Sequence, residues 1–106
     1  MDLVCTWDGK YFGWIDSGGL FAADGRHVGE FRKENIFSEN GLYIGELMEG
    51  RLITNSLKKE THTSPGFWPT ANPDGAPRER PTDETPREML SGYEAFPDRL
   101  KSLAAQ

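Results

Sequence analysis

Four side chains that recur every sixteen residues are the best candidates for chemistry in this sequence: Tyr11, His27, Tyr43 and Lys59. An imidazole can titrate near neutral pH, and the mouth of a closed sheet lined by phenol, imidazole and ammonium groups could hold a small molecule. The spacing therefore predicts a candidate ligand ring at one end of a repeat axis, and the ring could also act on its ligand. A simpler interpretation, which we favour, is that all four are half-buried strand residues, because repeat symmetry alone places like residues in a ring.

Cysteine chemistry has little support. Cys5 would need a neighbouring base to become a nucleophile, and His27 and His62 are the only histidines. No known spacing joins them, so we interpret Cys5 as a small, buried apolar residue. We predict no catalytic residue, and therefore a protein that is not an enzyme.

Acidic side chains also recur with the repeat. Asp8, Asp24 and Asn40 could suggest calcium, but they belong to separate turns and lack the close ligand spacing of a calcium loop, so turn geometry explains them. Glu30 and Glu46 share a register and could act as paired acids. Solvated charge at strand edges, which discourages aggregation, is the simpler account. We therefore predict neither a metal site nor a cofactor.

These residues belong to a sixteen-residue repeat that runs through positions 3–66 without a gap. Its four units are residues 3–18, 19–34, 35–50 and 51–66. When the four units are aligned, three columns define the repeat: an aliphatic residue, an Asp-Gly or Asn-Gly pair, and a further glycine. The aliphatic column holds Val4, Leu20, Ile36 and Leu52, and the last column holds Gly13, Gly29 and Gly45. The fourth unit keeps Leu52 and loses the glycines.

Each unit is predicted to be a β-hairpin, because Asp-Gly and Asn-Gly accept the positive φ angles of two-residue turns. With Asp8-Gly9 as the loop, Val4 faces Gly13 and Cys5 faces Phe12. Glycine inside a strand usually marks the close approach of another backbone, so the glycine column indicates hairpins that converge round a central axis. One face of the hairpins then holds Val4, Leu20, Ile36, Leu52, Thr6, Ala22, Ser38, Thr54, the three glycines, Ile15, Phe31 and Leu47.

The opposite face is apolar in its middle and charged at its edges. It holds Cys5, Phe21, Phe37 and Ile53 together with Phe12, Val28 and Ile44. Strands that are apolar on both faces are normally covered on both. This second band therefore needs a lid, either the C-terminal tail or another subunit. The candidate interface residues are Phe21, Phe37, Trp14, Phe67 and Trp68.

The residues after position 66 form a tail of different composition. Six of the seven prolines lie in residues 67–106, so most of the tail is predicted to be extended. Thr85, Pro86 and Glu88 have the pattern of a helix start with a capping box, which predicts a short helix near residues 86–91. The tail is expected to dock on the apolar band, and the alternatives are partner binding or disorder.

The unit that runs from Phe21 to Phe31, with Asp24-Gly25 and Gly29 at fixed spacing, resembles those of the bacterial four-fold β-flower proteins. The resemblance covers residues 3 to about 60. It implies four hairpins arranged as petals round a pseudo-four-fold axis, and it brings no established activity or site residues. The last unit departs from the pattern at Asn55-Ser56.

Composition restricts the function further. The net charge is -5 and Lys and Arg cluster only at Arg32-Lys33 and Lys58-Lys59, which argues against nucleic acid. The sequence contains no run of about 20 apolar residues, the length that would span a membrane. The first ten residues lack the pattern of a secretory signal, and a single cysteine suits a reducing compartment, so a cytoplasmic location is expected.

Together these observations predict an all-β protein with a hairpin-repeat domain at residues 1–66 and a Pro-rich tail at residues 67–106. The favoured function is a non-enzymatic binding or assembly module. Its partner would be its own tail or another protein chain, and a homo-oligomer is one possibility. The alternative is a small-molecule-binding protein that uses the Tyr/His/Lys ring.

Overall fold

Seven strands follow one another along the chain, and each is antiparallel to the one before it. The computed structural model describes residues 2–70 and 81–97. Its elements are β1 (Asp2–Thr6), β2 (Tyr11–Asp16), β3 (Gly19–Ala22), β4 (His27–Arg32), β5 (Asn35–Phe37), β6 (Tyr43–Met48), β7 (Arg51–Asn55), the single helical turn α1 (Lys58–Thr61) and β8 (Tyr93–Glu94). Within those described residues, no helix is long and apolar enough to cross a membrane.

The ring of strands closes where β1 meets β7. With seven alternating strands the first and last run in the same direction, and they pair in parallel through Cys5 with Arg51 and Thr6 with Leu52. The Trp7 amide extends this seam by donating to the Leu52 carbonyl at 2.9 Å. The predicted all-β repeat fold is confirmed, as a closed seven-stranded barrel with one added strand.

The Asp-Gly and Asn-Gly turns lie where predicted, but each loop has three residues rather than two. The Gly9 amide donates to the Thr6 carbonyl at 2.9 Å, and the Thr6 amide donates to the Lys10 carbonyl at 2.8 Å. Gly9 has a φ of 88°, so this is a type I turn followed by a residue in the left-handed region. The turns at Gly25 and Gly41 repeat both hydrogen bonds. Two-residue loops occur instead between units, as at Ser17-Gly18.

A β-bulge after each of these turns changes the predicted strand register. Val4 pairs with Gly13 as expected, but Cys5 pairs with Tyr11, so the predicted pairing of Cys5 with Phe12 is wrong. The same irregularity occurs in the next two hairpins. An extra residue on one strand re-aims the side chains beside it. Phe12 and its repeat equivalents therefore turn into the core rather than outward.

The barrel interior contains the aliphatic column of the repeat, as predicted. Its buried residues are Val4, Leu20, Ala22, Ile36 and Leu52 with Phe12, Val28, Ile44 and Phe96, and Ile15, Phe31 and Leu47 pack against them. Phe96 comes from the tail, is 1% exposed, and meets the Phe12 ring edge-to-face with centroids 5.3 Å apart. A fully buried phenylalanine contributes about 2–3 kcal/mol through the hydrophobic effect.

The glycine column marks close approach, as expected. A Cβ on Gly13 would overlap the carbonyl oxygen of Phe21 on β3, and one on Gly29 would lie 2.7 Å from Cγ2 of Ile36. At Gly45 the nearest neighbour is the ring of Phe96. The strands therefore crowd against the next strand or the tail at these positions.

The fourth unit differs from the other three. Its first strand is β7, but the chain then enters α1 because the Leu57 amide donates to the Asn55 side chain at 3.0 Å and turns the backbone. The tail supplies the second strand, since β8 pairs Glu94 with Thr54 and Tyr93 with Asn55. The last petal is thus built from two distant parts of the sequence.

The predicted short helix near residues 86–91 is wrong, because residues 86–90 have no regular secondary structure and a turn follows at Ser91-Gly92. Their backbone groups bond to the first hairpin: the Arg87 amide donates to the Trp7 carbonyl at 3.3 Å, and the Trp7 indole donates to the Glu88 carbonyl at 2.9 Å. These tertiary hydrogen bonds replace the ones that a helix would make. Residues 71–80 and 98–106 of the tail lie outside the described residues, and the domain boundary at residue 66 stays a prediction.

Candidate functional site

Three of the four residues of the predicted ring line one open cleft. The cleft has a volume of about 1050 Å³ and is lined by His27 at the start of β4, Tyr43 at the start of β6 and Lys59 in α1. Tyr11 lies elsewhere and lines a smaller pocket of about 260 Å³. Equivalent positions of a closed barrel face outward in different directions, so the four residues do not share one site.

The cleft has an apolar floor and a polar rim. Val28, Ile44 and Phe96 supply the floor, and Ser38, Asn40 and Leu42 of the β5–β6 turn form one wall. The tail forms other walls through Pro69, Thr70 and residues 94–97. The β-bulge explains the floor, because it is what brings Val28 and Ile44 to the barrel interior.

His27 lies between two aromatic rings and holds the tail. Its ring centroid is 4.9 Å from that of Phe21 and 4.6 Å from that of Phe67. Its Nδ1 accepts a hydrogen bond from the Thr70 amide at 3.1 Å, and its Nε2 lies 3.1 Å from Oε1 of Glu30. His27 therefore fixes the segment that forms one wall of the cleft.

Tyr43 belongs to a buried polar network. Its hydroxyl donates to Oε1 of Glu46 at 2.8 Å and accepts from the Asn55 amide at 2.9 Å. Glu46 is only 7% exposed, and Nζ of Lys58 lies 3.0 Å from its Oε1. The pKa of Tyr43 is raised above its ordinary value, chiefly by burial, and the neighbouring Glu46 raises it further. The phenol thus stays protonated and joins β6 to β7, and the Lys58–Glu46 pair joins α1 to β6.

Lys59 is tied to the tail at the other side of the cleft. Its Nζ donates to Oε2 of Glu94 at 2.8 Å, and the Ser56 hydroxyl donates to the other carboxylate oxygen at 2.9 Å. These two hydrogen bonds, that of Lys59 first, lower the pKa of the Glu94 carboxyl. The pairs therefore hold β8 beside β7.

The smaller pocket joins Tyr11 to Cys5, Arg51 and Glu84. Desolvation raises the pKa of the Cys5 thiol, and the nearby charge of Arg51 opposes this effect without cancelling it. No histidine is among the residues that line this pocket. The arrangement is that of a protonated, partly buried thiol.

The predicted interface residues differ in exposure. Trp14, Phe21 and Phe37 are buried, and the Trp14 and Phe21 rings stack with centroids 5.7 Å apart. Phe67 covers His27, whereas Trp68 is 93% exposed. The chain itself covers these buried members of the outer band, and contact with another chain stays a prediction.

The acidic residues of the repeat have partners within the protein. Asp8 accepts from the Thr6 hydroxyl, and Asp24 accepts from the Arg26 amide at 3.1 Å and from its guanidinium at 3.0 Å. Glu30 lies beside His27, whereas Glu46 lies in the Tyr43 network. Among residues 2–70 and 81–97, no group of three or more His, Cys, Asp or Glu side chains could hold a metal ion.

Sequence comparison agrees with the architecture. The family model described as "4-fold beta flower protein" matches residues 1–92. That span includes the barrel and the part of the tail that crosses the first hairpin. No match was found among curated proteins or among solved structures.

Proposed function

Because the chain belongs to the 4-fold beta flower family, we propose that its barrel is a non-enzymatic binding module whose binding surface is the cleft lined by His27, Tyr43 and Lys59. The observation that carries this proposal is the cleft itself, an open concavity of about 1050 Å³ between two hairpins and the tail. Ligand pockets commonly have volumes of roughly 300–1,000 Å³. The concavity is therefore large enough for an organic molecule or a short piece of chain.

The lining indicates the chemistry of the ligand. The floor is apolar, and the rim carries the ion pairs of Arg26 with Asp24 and of Lys59 with Glu94. A ligand with an apolar body and a polar end would bury its body against Ile44 and Phe96 and leave its polar end at the rim. Hydrogen bonds at the rim would fix its orientation.

Binding is favoured over catalysis because the polar groups of the cleft already have partners. Nδ1 of His27 accepts from Thr70, the Tyr43 hydroxyl bonds to Glu46, and Nζ of Lys59 bonds to Glu94. A general acid or base must reach a substrate proton. These three groups instead hold the walls of the cleft in place.

A ligand screen with two matched variants tests the proposal. Leu42 lines the cleft and is 57% exposed, whereas Leu57 is 78% exposed and is not among the lining residues. Small molecules that bind the wild-type chain in ligand-observed NMR should lose at least tenfold in affinity with Leu42→Glu and keep it with Leu57→Glu. Binding that is unchanged by Leu42→Glu, or a broad screen without any binder, would count against the cleft.

Assembly is a second candidate, supported by the exposure of Trp68. Tryptophan is over-represented among the residues that dominate protein interfaces, and Phe67 beside it is already anchored on His27. Light scattering would show an oligomer that Trp68→Ala dissociates. A wild-type monomer at high concentration would contradict this candidate and leave the cleft proposal standing.

A further inference from the structure

The first hairpin and the β6–β7 turn form a groove that already holds a piece of the tail. We call it the turn-1 groove and define it by Trp7, Gly9, Lys10, Tyr11, Glu49 and Arg51. Its occupant is the tail segment of residues 83–88. The Glu84 amide donates to the Gly9 carbonyl at 2.7 Å, and the Arg87 amide donates to the Trp7 carbonyl at 3.3 Å. Both bonds use main-chain groups of the occupant.

The groove also donates to the occupant's main chain. The Arg51 guanidinium reaches the Thr85 carbonyl at 2.7 Å, and the Trp7 indole donates to the Glu88 carbonyl at 2.9 Å. The Arg51 guanidinium also donates to the Trp7 carbonyl at 3.2 Å, and this bond keeps Arg51 beside Trp7. Four hydrogen bonds to main-chain groups of the tail thus bind the five successive residues 84–88.

The groove also contacts the side chains at the two ends of the segment. The carboxylate of Asp83 accepts from the Tyr11 amide at 2.9 Å and lies 3.7 Å from Nζ of Lys10. Four residues later the Arg87 guanidinium lies 5.0 Å from the centre of the Trp7 ring and 3.0 Å from Oε2 of Glu49. A cation over an indole face is favourable. The groove therefore recognises an acid at one end and an arginine at the other.

Among the described residues, the same main-chain arrangement recurs at a second turn of the barrel. At the β5–β6 turn the Ser64 amide donates to the Gly41 carbonyl at 2.9 Å, and the Phe67 amide donates to the Glu39 carbonyl at 3.2 Å. Gly41 and Glu39 are the repeat equivalents of Gly9 and Trp7. The donors are again three residues apart, and a proline lies between them in both segments. The turn thus accepts chain of different sequence, and the charged side chains of Lys10, Glu49 and Arg51 add selectivity at the first hairpin.

We propose that the turn-1 groove is a peptide-recognition site for extended segments that carry a carboxylate and, four residues later, an arginine preceded by proline. Residues 83–88 are its ligand in cis. A partner protein that presents a segment of this chemistry binds by taking their place. The site lies on another hairpin from the cleft and does not depend on the function proposed for the cleft.

The test uses the full chain and one synthetic peptide. A tethered segment competes at an effective concentration of roughly millimolar, so the chain's own segment is weakened by the paired substitutions Asp83→Lys and Arg87→Glu. The peptide has the wild-type sequence of residues 81–90. Its binding is followed by the indole N–H resonance of Trp7 in ¹⁵N–¹H spectra, because that group donates to the segment.

The peptide should shift the Trp7 indole resonance of the double variant with an affinity at least tenfold higher than for the wild-type chain. A peptide carrying the same two substitutions should not bind, and neither should one with Glu84→Pro, which lacks the amide that bonds to Gly9. The proposal is overturned if the variant keeps a dispersed spectrum and the wild-type peptide causes no shift at millimolar concentration. If the double variant loses that dispersion, the wild-type peptide is titrated into the Arg87→Ala variant instead. A shift of the Trp7 indole resonance then supports the proposal, and no shift at millimolar concentration overturns it.

Discussion

Gly45 and Phe96 occupy adjoining space inside the barrel. A Cβ at position 45 would lie 2.6 Å from Cε1 of Phe96 and 2.8 Å from the Ile53 carbonyl oxygen. Because Gly45 has no side chain, the aromatic ring of Phe96 fits beside it. This pairing joins the repeat to its tail.

Gly45→Ala is expected to lower the free energy of unfolding by about 1–3 kcal/mol, because overpacking forces neighbours to shift. Phe96→Ala should cost about 3–5 kcal/mol, since it empties a fully buried site. Chemical denaturation of both variants and of the double variant measures the coupling. Gly45→Ala should cost less when Phe96 is already alanine, and strictly additive losses would contradict the proposed contact.

Tyr43→Phe is expected to destabilise the protein by about 1–3 kcal/mol, because Glu46 loses a buried hydrogen-bond donor and the Asn55 amide loses its acceptor. Denaturation at neutral pH measures this loss. Leu57→Ala, at an exposed position, should change stability little and serves as the control.

The raised pKa of Tyr43 also predicts a dependence on high pH. Above the ordinary tyrosine pKa of about 10 the unfolded chain loses this proton while the folded chain keeps it. Stability contributed by the protonated phenol is therefore present below pH 10 and falls as pH rises toward the folded-state pKa. Denaturation series between pH 9 and 11 should show a steeper decline for wild type than for Tyr43→Phe. Parallel curves would refute the assignment.

Lys59→Met is expected to raise the pKa of the Glu94 carboxyl, because the first of its two stabilising hydrogen bonds is lost. Titration of the Glu94 side-chain carbon by NMR measures the change. Both groups are substantially exposed, so the change in stability should stay below about 1 kcal/mol. An unchanged titration midpoint would show that Lys59 does not hold Glu94 in solution.

His27→Ala is expected to accelerate hydrogen exchange of the Thr70 amide, since Nδ1 of His27 is its acceptor. His27→Asn offers a side-chain oxygen near the position of Nδ1 and should retain more protection. His62→Ala removes the other histidine and serves as the matched control. Equal exchange in all three variants would contradict a role for His27 in fixing the wall of the cleft.

Local sequence signals predicted the elements whose packing follows the repeat. Val4, Leu20 and Ile36 are core residues because the sixteen-residue period returns each to the same face of a hairpin. The bulge that turns Phe12 inward has no comparable signal, since it depends on how β1 and β2 pair. The capping pattern at Thr85 failed for a related reason, because a good local helix start lost to hydrogen bonds with the first hairpin.

The candidate site was predictable only in part. Repeat spacing identified His27 and Tyr43, but their common cleft depends on the tail, whose docking no local pattern specifies. The partnership of Glu46 with Lys58 was likewise hidden, because twelve residues and the departure of the fourth unit from the repeat separate them. Phe96 carries no repeat signal at all, although it completes the interior.

The parallel seam between β1 and β7 gives the barrel a preferred place to open. Two paired positions join strands separated by more than forty residues, so forming them closes a long loop late in folding, whereas the other six junctions of the seven-stranded ring are short-range hairpins. Transient fraying should therefore begin there and admit solvent beside Cys5. The rate at which a thiol-specific reagent labels this lone cysteine would consequently report how often the β1–β7 seam opens.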